Sequence, residues 1–279
     1  MFTGSSVIDI YRQEADLSRR AVFYELTGLS FREYLSFSGV YDGDILELNQ
    51  ILEDHTQLAI ELSKRFKPLQ YFDTYLDYGY YPFFKENLRT YFIRIEQVIR
   101  LIVETELRFI DGFDVKMTSK VMQLLAILAE NVPFQPNISK LSEKIGISRP
   151  TVVQYLHYLE KARLINTLNA AGASISILQK PEKIYLENPN LHRALTSFGS
   201  NRGSRRESFM LNQLRNAKHE VSLPPKGDFL IDRTITIEVG GKGKQKKQIK
   251  DVPQAFIAAD DIEVGIDQKI PLWMFGLLY

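Results

Sequence analysis

Residues 138–161, ISKLSEKIGISRPTVVQYLHYLEK, carry two short helical patterns separated by a tight turn. Gly146-Ile147-Ser148 forms the turn. Ser148 is a good N-cap for the second helix, and Pro150 sits in its first turn, where a missing N–H group costs nothing. The second helix is predicted to continue to about Ala162, with an inward face of three apolar residues: Val152, Leu156 and Leu159. The stretch therefore predicts a helix-turn-helix.

The flanking sequence extends this unit into a winged helix. Upstream, an apolar stripe predicts one more helix, which ends near Asn131-Val132-Pro133. Downstream, Leu164–Leu168 and Ile175–Leu178 flank the small-residue turn Ala170-Ala171-Gly172. Two short β-prone runs around such a turn are typical of a two-stranded wing.

A winged helix is a fold, so nucleic-acid binding has to come from the second helix of the helix-turn-helix. Arg149 and Gln154 carry the chemistry that reads guanine and adenine edges, and Thr151 and Lys161 are further outward-facing candidates. Lys140, Lys144 and Lys161 can meet phosphates, whereas Glu143 and Glu160 dilute that positive charge. Two interpretations stay open: a module that binds DNA or another nucleic acid, and a structural or protein-docking winged helix.

The composition excludes several classes of protein. The 279 residues are 44% hydrophobic and 25% charged, which is ordinary for a globular protein, and 35 basic against 34 acidic residues leave a net charge of +1. No global field therefore draws the chain to nucleic acid or anionic lipid, and any such partner needs a local patch. Without cysteine, disulfides and thiolate chemistry are impossible. No apolar run reaches the ~20 residues that span a bilayer, so we expect a cytoplasmic protein with no membrane partner.

The region before the winged helix is strongly helical. Ser30 is a predicted N-cap with Glu33 at the capping-box position, and longer amphipathic helices are predicted over about 44–66 and 86–110. Between them, residues 69–84 are crowded with aromatic side chains. These rings can stack nucleic-acid bases, but an aromatic core under a loop is favoured because few basic residues interleave. Residues 36–115 are thus predicted to form a helical lid or spacer.

The last unit carries an ordered set of carboxylates. Glu207 lies on a predicted helix, Asp228 begins a strand, and Glu238 lies on the next strand after a turn at Asp232-Arg233. This order is that of nucleases of the restriction-endonuclease fold, in which the Asp and Glu hold a divalent metal that activates water. Asp228 and Glu238 are the candidate metal ligands.

The lysine of such nuclease sites lies two residues after the Glu, and here that position is Gly240. Lys242 or Lys244 would have to reach the site from a later position in the chain and replace that lysine. Because scattered carboxylates at strand ends are usually solvated, a degenerate version of this fold, either structural or nucleic-acid-holding, is preferred to an active nuclease.

The glycine-lysine run 240–247 also resembles a phosphate-binding loop, but its spacing does not match a Walker A motif. No apolar run ending in Asp-Glu is present to hold magnesium. The chain itself is therefore expected not to hydrolyse a nucleotide and to need no cofactor.

Several segments, spread over essentially the whole chain, carry a resemblance to a known family: Phe2–Ser6, Asp16–Ala21, Leu29–Leu35, the winged helix, Lys183–Leu191, Glu238–Lys242 and Ile270–Tyr279. Taken together they resemble the predicted AAA+ superfamily ATPases of bacteria and archaea, whose C-terminal region is a domain of unknown function. The resemblance implies that a P-loop module precedes the Thr-Gly-Ser-Ser segment. It also implies that ATP and magnesium belong to a full-length relative, and that this chain is a C-terminal fragment.

The same resemblance implies roles for four N-terminal residues. Ser5 or Ser6 would lie near a γ-phosphate, as the end of the strand that carries sensor 1, and Arg19 or Arg20 would contact nucleotide or a neighbouring subunit. In this family the C-terminal unit resembles a diverged restriction-endonuclease fold, with Glu-Val-Gly-Gly-Lys common in one branch, so Gly240 is expected there.

The sequence patterns and the family resemblance together imply an α+β multidomain chain of four units. They are a remnant of an AAA+ ATPase core over residues 1–35, the helical lid over 36–115, the winged helix over 116–200 and a diverged restriction-endonuclease-like α/β domain over 201–279. The expected function is a nucleic-acid-binding or partner-binding module without ATP hydrolysis. The alternatives are a metal-dependent nuclease and a protein-docking adaptor.

Overall fold

A computed structural model describes residues 25–105, 107, 113, 115–172, 180–196 and 201–279. This part of the chain is a mixed α+β structure with one two-stranded and one five-stranded sheet. The α-helices are α1 (Phe31–Phe37), α2 (Leu48–Ser63), α3 (Pro68–Tyr78), α4 (Tyr91–Glu104), α5 (Thr118–Asn131), α6 (Ile138–Ile145), α7 (Arg149–Lys161), α8 (Pro189–Leu195) and α9 (Arg202–Asn216). The strands are β1 (Ile165–Leu168), β2 (Lys183–Leu186), β3 (Val221–Ser222), β4 (Phe229–Ile231), β5 (Ile235–Gly240), β6 (Ala255–Ala259) and β7 (Lys269–Pro271). None of the described helices is long and apolar enough to cross a membrane.

The helices before the helix-turn-helix follow the predicted pattern with shorter limits. The capping box at α1 is confirmed, because the Ser30 hydroxyl accepts from the Glu33 N–H and the Glu33 carboxylate accepts from the Ser30 N–H. The helices predicted over 44–66 and 86–110 are α2 and α4. The aromatic-rich stretch does supply core, but from helix α3 rather than from a loop, with Phe72 and Tyr75 fully buried.

The helix-turn-helix is confirmed as local structure. Gly146 has φ +72, in the left-handed region where glycine carries no Cβ penalty, and it separates α6 from α7. The Ser148 side chain accepts from the Thr151 N–H at the start of α7, and a proline occupies the first turn. The apolar faces of α5, α6 and α7 pack into one core, in which Val152, Leu156 and Leu159 are buried.

Strand β1 has a partner that the sequence did not predict. It pairs antiparallel with β2, and Ile165 lies opposite Leu186. The predicted segment, Ile175–Leu178, lies outside the described residues. Three successive residues of β2 are fully buried, so this strand is held by the core as well as by its hydrogen bonds to β1: Ile184, Tyr185 and Leu186.

The C-terminal sheet has the strand order β3-β4-β5-β6-β7. The first three strands are antiparallel, and β5, β6 and β7 run parallel. The predicted turn between β4 and β5 is confirmed, with Asp232 and Arg233 both at positive φ. Helix α9 covers one face of the sheet, and a smaller apolar cluster around Ile249 and Ile257 covers the other.

The large apolar side chains form two main cores. Helices α1 to α3 pack with α9 and the C-terminal sheet, whereas α4 packs with the helix-turn-helix. The predicted spacer over 36–115 therefore contributes to both cores. The four predicted domain limits stay a prediction.

Asn190 connects the elements of the two cores. Its Oδ1 accepts from the Tyr80 N–H at 2.9 Å and from the Tyr91 hydroxyl at 2.5 Å. Its Nδ2 donates to the carbonyls of Tyr75 and Leu76. The Asn190 side chain is fully buried, so water cannot replace it as the hydrogen-bond partner of these four groups.

Asn190→Ala tests this connection. Removing the carboxamide takes away the acceptor of the Tyr80 N–H and of the Tyr91 hydroxyl and the donor to the Leu76 carbonyl. Because all three groups are buried, we expect the free energy of unfolding to fall by at least about 3 kcal/mol. Urea denaturation followed by circular dichroism measures it. Asn49→Ala, at an exposed position of α2, is the control and should change stability by less than about 0.5 kcal/mol. An equally small effect of both variants would contradict the proposed role.

Candidate functional site

The four residues assigned to a nucleotide-binding remnant lie outside the described residues: Ser5, Ser6, Arg19 and Arg20. Their roles stay predictions. The other candidate residues lie on two surfaces, the helix-turn-helix and the C-terminal sheet.

The exposed side of α7 carries the predicted nucleic-acid-binding residues. Arg149 at its first position and Lys161 at its last are exposed, and neither forms an ion pair with another described residue. Gln154 is exposed and donates to the Tyr158 hydroxyl one turn further on. The Thr151 hydroxyl lies 2.7 Å from the Ser148 hydroxyl, so it belongs to the N-cap of the helix. Arg149 and Lys161 are thus the side chains most available to a partner.

Glu160 does not reduce the positive charge of this surface in the way the sequence indicates. Its Oε1 accepts from the N–H and the hydroxyl of Thr167 at 2.9 and 2.6 Å, and Arg215 of α9 lies 3.6 Å away. Its negative charge is therefore balanced against α9. On α6, Lys140 and Lys144 are exposed and unpaired within the described part of the chain, beside the exposed Glu143.

The second group brings together the predicted carboxylates where α9 packs against β4 and β5 of the C-terminal sheet. Asp228 precedes β4, where its N–H donates to the Ile237 carbonyl at 3.0 Å. Its Oδ2 accepts from the Val239 N–H at 2.8 Å. These two bonds flank Glu238 on β5, so the hairpin pairing itself places Asp228 beside Glu238.

Glu238 is almost fully buried, and its Oε1 forms an ion pair with Lys244. With the Gln248 amide oriented by its hydrogen bonds, the Gln248 nitrogen also donates to Oε1, at 2.6 Å. Lys242 is exposed, and its carbonyl accepts from Lys269. The structure therefore brings Lys244 to Glu238, and not Lys242.

Gly240 explains how Lys244 reaches Glu238. A Cβ added at Gly240 would lie 2.6 Å from the Lys244 Cγ, which is much closer than van der Waals contact allows. The stem of Lys244 thus crosses the end of β5 where a side chain two residues after Glu238 would stand. A glycine at position 240 and a lysine at 244 together place an ammonium group beside the glutamate.

The two-stranded sheet contributes two residues that sequence reasoning missed. The Tyr185 hydroxyl donates to Glu207 Oε2 at 3.0 Å, and Lys183 Nζ lies 3.9 Å from Asp228 Oδ1. Both are on β2, two residues apart, so they point to the same face. The alternation of Lys183 and Tyr185 is visible in the sequence, but it is informative only if residues 183–186 are assigned to a strand.

Glu207 is the most perturbed carboxyl of the site. Burial, followed by the negative charge of Asp228, raises its pKa from the ordinary 4.5 to about 7. The positive charge of Lys183 and the hydrogen bond from Tyr185 oppose this increase. Burial also raises the pKa of Asp228, against the hydrogen bond from Val239. A carboxyl that keeps its proton near neutral pH is suited to proton transfer.

Within the described ranges, no group of three or more histidine, aspartate and glutamate side chains is close enough to hold a metal ion together. Asp228, just before β4, and Glu238, on the adjacent strand β5, carry the carboxylate oxygens that magnesium prefers. The metal assignment to this pair stays a prediction.

Comparison with known proteins gives two matches. Residues 69–202 match a domain of unknown function (DUF8612). The match spans α3 to the start of α9, so it includes the helix-turn-helix and ends before Glu207. The chain is also similar to an uncharacterized protein of Methanocaldococcus jannaschii, with 24% identity over 291 residues, covering 96% of this chain and 61% of the relative. The chain thus spans about three fifths of the length of that relative. No solved structure matches this chain.

Glu207→Gln tests the electrostatics of the carboxylate site. The folded protein keeps the Glu207 proton up to about pH 7, whereas the unfolded chain releases it near 4.5, so the free energy of unfolding falls as pH rises between these values. Glutamine does not titrate, so the free energy of unfolding of the variant does not fall for this reason. We expect its stability relative to the unmodified protein to increase by about 3 kcal/mol from pH 4.5 to pH 7 and then to stay constant.

Urea denaturation in EDTA-containing buffers at a series of pH values measures this difference. Glu53→Gln, at an exposed position of α2, removes a solvated carboxyl and serves as the matched control. The assignment would be wrong if both variants showed the same pH dependence.

Proposed function

We propose that this chain is a nucleic-acid-binding module from the C-terminal region of an AAA+ family ATPase, with a winged helix and a diverged restriction-endonuclease-like unit. The observation that carries nucleic-acid binding is the unpaired positive charge of the helix-turn-helix. Arg149 and Lys161 on α7 and Lys144 on α6 are exposed, whereas the nearby Glu160 is engaged by Arg215 and Thr167. Cations without an internal partner are available to release the counterions of a phosphate backbone.

The AAA+ assignment rests on the sequence motifs given above. In this proposal the P-loop, ATP and magnesium belong to a longer protein, and this chain binds nucleic acid without hydrolysing nucleotide. The absence of a Walker A motif from its sequence supports the second part.

Arg149→Ala combined with Lys161→Ala tests the winged-helix interface. We expect the double variant to bind labelled duplex DNA at least tenfold more weakly than the unmodified chain at physiological salt. We also expect the salt dependence of the dissociation constant to lose about two units of slope, because each phosphate contact contributes about 0.9. Fluorescence anisotropy titrations with duplex DNA, single-stranded DNA and RNA at several salt concentrations measure both quantities.

The control for this test removes two exposed lysines elsewhere, Lys64 at the end of α2 and Lys85 after α3, so that the net charge changes equally. Equal weakening by both pairs of substitutions would contradict a specific interface. A chain that binds none of the three nucleic acids at low salt contradicts the proposal as a whole and favours the protein-docking adaptor.

A second candidate function is a metal-dependent nuclease, and the Lys244–Glu238 ion pair across Gly240 favours it. Asp228 and Glu238 would hold the divalent ion, which when bound would polarise a water molecule for attack on a phosphodiester. Lys244, which pairs with Glu238, would orient that water or balance negative charge at the phosphate. Tyr185 donates a hydrogen bond to Glu207, and Lys183 lies 3.9 Å from Asp228.

Substitution of Lys242 and of Lys244, the two alternatives left by the sequence, distinguishes an active nuclease from a degenerate site. We expect Asp228→Asn, Glu238→Gln and Lys244→Ala each to lower manganese-dependent cleavage of plasmid and single-stranded DNA by at least about a hundredfold, whereas Lys242→Ala retains it. Gel analysis of the products measures cleavage, and thermal unfolding confirms that each variant folds. Cleavage that survives Lys244→Ala and disappears in Lys242→Ala would overturn the geometry, and no cleavage by the unmodified chain would leave the unit with a binding role.

A further inference from the structure

An open groove lies on the C-terminal unit beside the carboxylates. It has a volume of about 470 Å³ and is lined by Pro225, Lys226, Gly227, Lys247 and Gln248. One wall is the loop that leads into β4, and the other is the short helix Lys246–Gln248 that follows β5. Two segments distant in sequence therefore meet to form it.

The groove is positively charged. Lys226 and Lys247 are exposed, and neither forms an ion pair with another described residue. The segment 241–250 that supplies one wall contains five lysines and no acidic residue. Of these, Lys244 is balanced by Glu238. Among the lining residues there is no carboxylate to neutralise a ligand site and no aromatic ring on which a base could stack.

We infer that this groove binds the phosphodiester backbone of a nucleic acid, at a second contact surface separate from the helix-turn-helix. The inference rests on the proposed nucleic-acid binding and adds where on the C-terminal unit the strand lies. Lysine ammonium groups pair with phosphates as point charges, and without stacking rings or amide pairs along a base edge the contact does not depend on base sequence.

Gln248 connects the groove to the carboxylate site. Its side chain lines the groove while its amide nitrogen donates to Glu238 Oε1 at 2.6 Å. A strand held between Lys226 and Lys247 therefore lies next to the Glu238–Lys244 pair. The inferred position of the strand beside this ion pair does not depend on whether the site cleaves nucleic acid.

The absence of cysteine from the chain allows a position-specific test. Lys247→Cys and Lys64→Cys each create a single thiol, one in the groove and one at an exposed position at the end of α2. Each full-length variant is labelled with a benzophenone maleimide and irradiated with a fluorescent duplex, about 30 base pairs long, of either of two unrelated sequences. We expect at least about a fivefold higher crosslinking yield from Lys247→Cys than from Lys64→Cys, equal for the two sequences.

A binding titration accompanies the crosslinking. Lys226→Ala combined with Lys247→Ala should weaken duplex binding at least about fivefold at physiological salt and reduce the salt slope by about two. Lys64→Ala combined with Lys85→Ala should do neither. Inorganic pyrophosphate at the same phosphate concentration as the duplex should not displace it.

The outcomes separate the groove from the winged helix. Duplex binding that depends on Arg149 and Lys161, with equal crosslinking at positions 247 and 64, overturns the groove alone. Crosslinking at position 247 with no effect of the Arg149 and Lys161 substitutions supports the groove and contradicts the winged-helix interface. Displacement by pyrophosphate would assign the groove to a small polyphosphate and overturn the inference, as would a chain that binds no nucleic acid.

Discussion

The carboxylate of Glu187 is buried where three parts of the molecule meet, and the arrangement of the rest depends on it. It follows directly after β2 and accepts hydrogen bonds from Tyr80 at 3.1 Å, Asn212 at 2.8 Å and Asn188 at 2.9 Å. These donors come from the segment just after α3, from α9 and from the N-cap of α8. Burial raises the pKa of Glu187, so each donor offsets part of the cost of an ionised group without water. An arrangement that moved any of the three elements away would leave a buried carboxylate short of partners.

This constraint also fixes the neighbouring candidate site. Because Glu187 is bound by α9 and by Tyr80, strand β2 immediately before it is held against the C-terminal unit, with the Tyr185 ring 5.8 Å from the Phe229 ring. Tyr185 and Lys183 thereby reach Glu207 and Asp228. Just beyond β1, the Asn169 carbonyl accepts from the Leu223 N–H, so the strand pair also contacts the segment that follows β3. The β1–β2 pair and the carboxylates thus pack directly against each other.

The sequence predicted what depends on local signals. The turn at Gly146 with the Ser148 cap, the capping box at Ser30 and the Asp232-Arg233 turn each require only residues a few positions apart, and all three are confirmed. The order of the three carboxylates was recognised because it follows the chain. The partner of β1, the choice of Lys244 and the contribution of Lys183 were not predictable, because each depends on which distant segments pack together. The contact between the rings of Tyr185 and Phe229 joins residues of two predicted domains, and no local pattern signals it.

The charge sum of +1 is compatible with the proposed binding of a polyanion at two surfaces, because several acidic side chains are paired with basic ones within the structure. Glu25 pairs with Arg163, Asp260 with Arg206, Glu160 with Arg215 and Glu238 with Lys244. Asp260 and Glu238 are almost completely buried, so their negative charge cancels that of one partner and contributes little to the field outside. Unpaired cations of the described chain lie on the outside of the helix-turn-helix and along the groove at Lys226 and Lys247. A near-zero total therefore excludes a global positive field but not two local ones, because electrostatic attraction at physiological salt extends only about 8 Å from each surface.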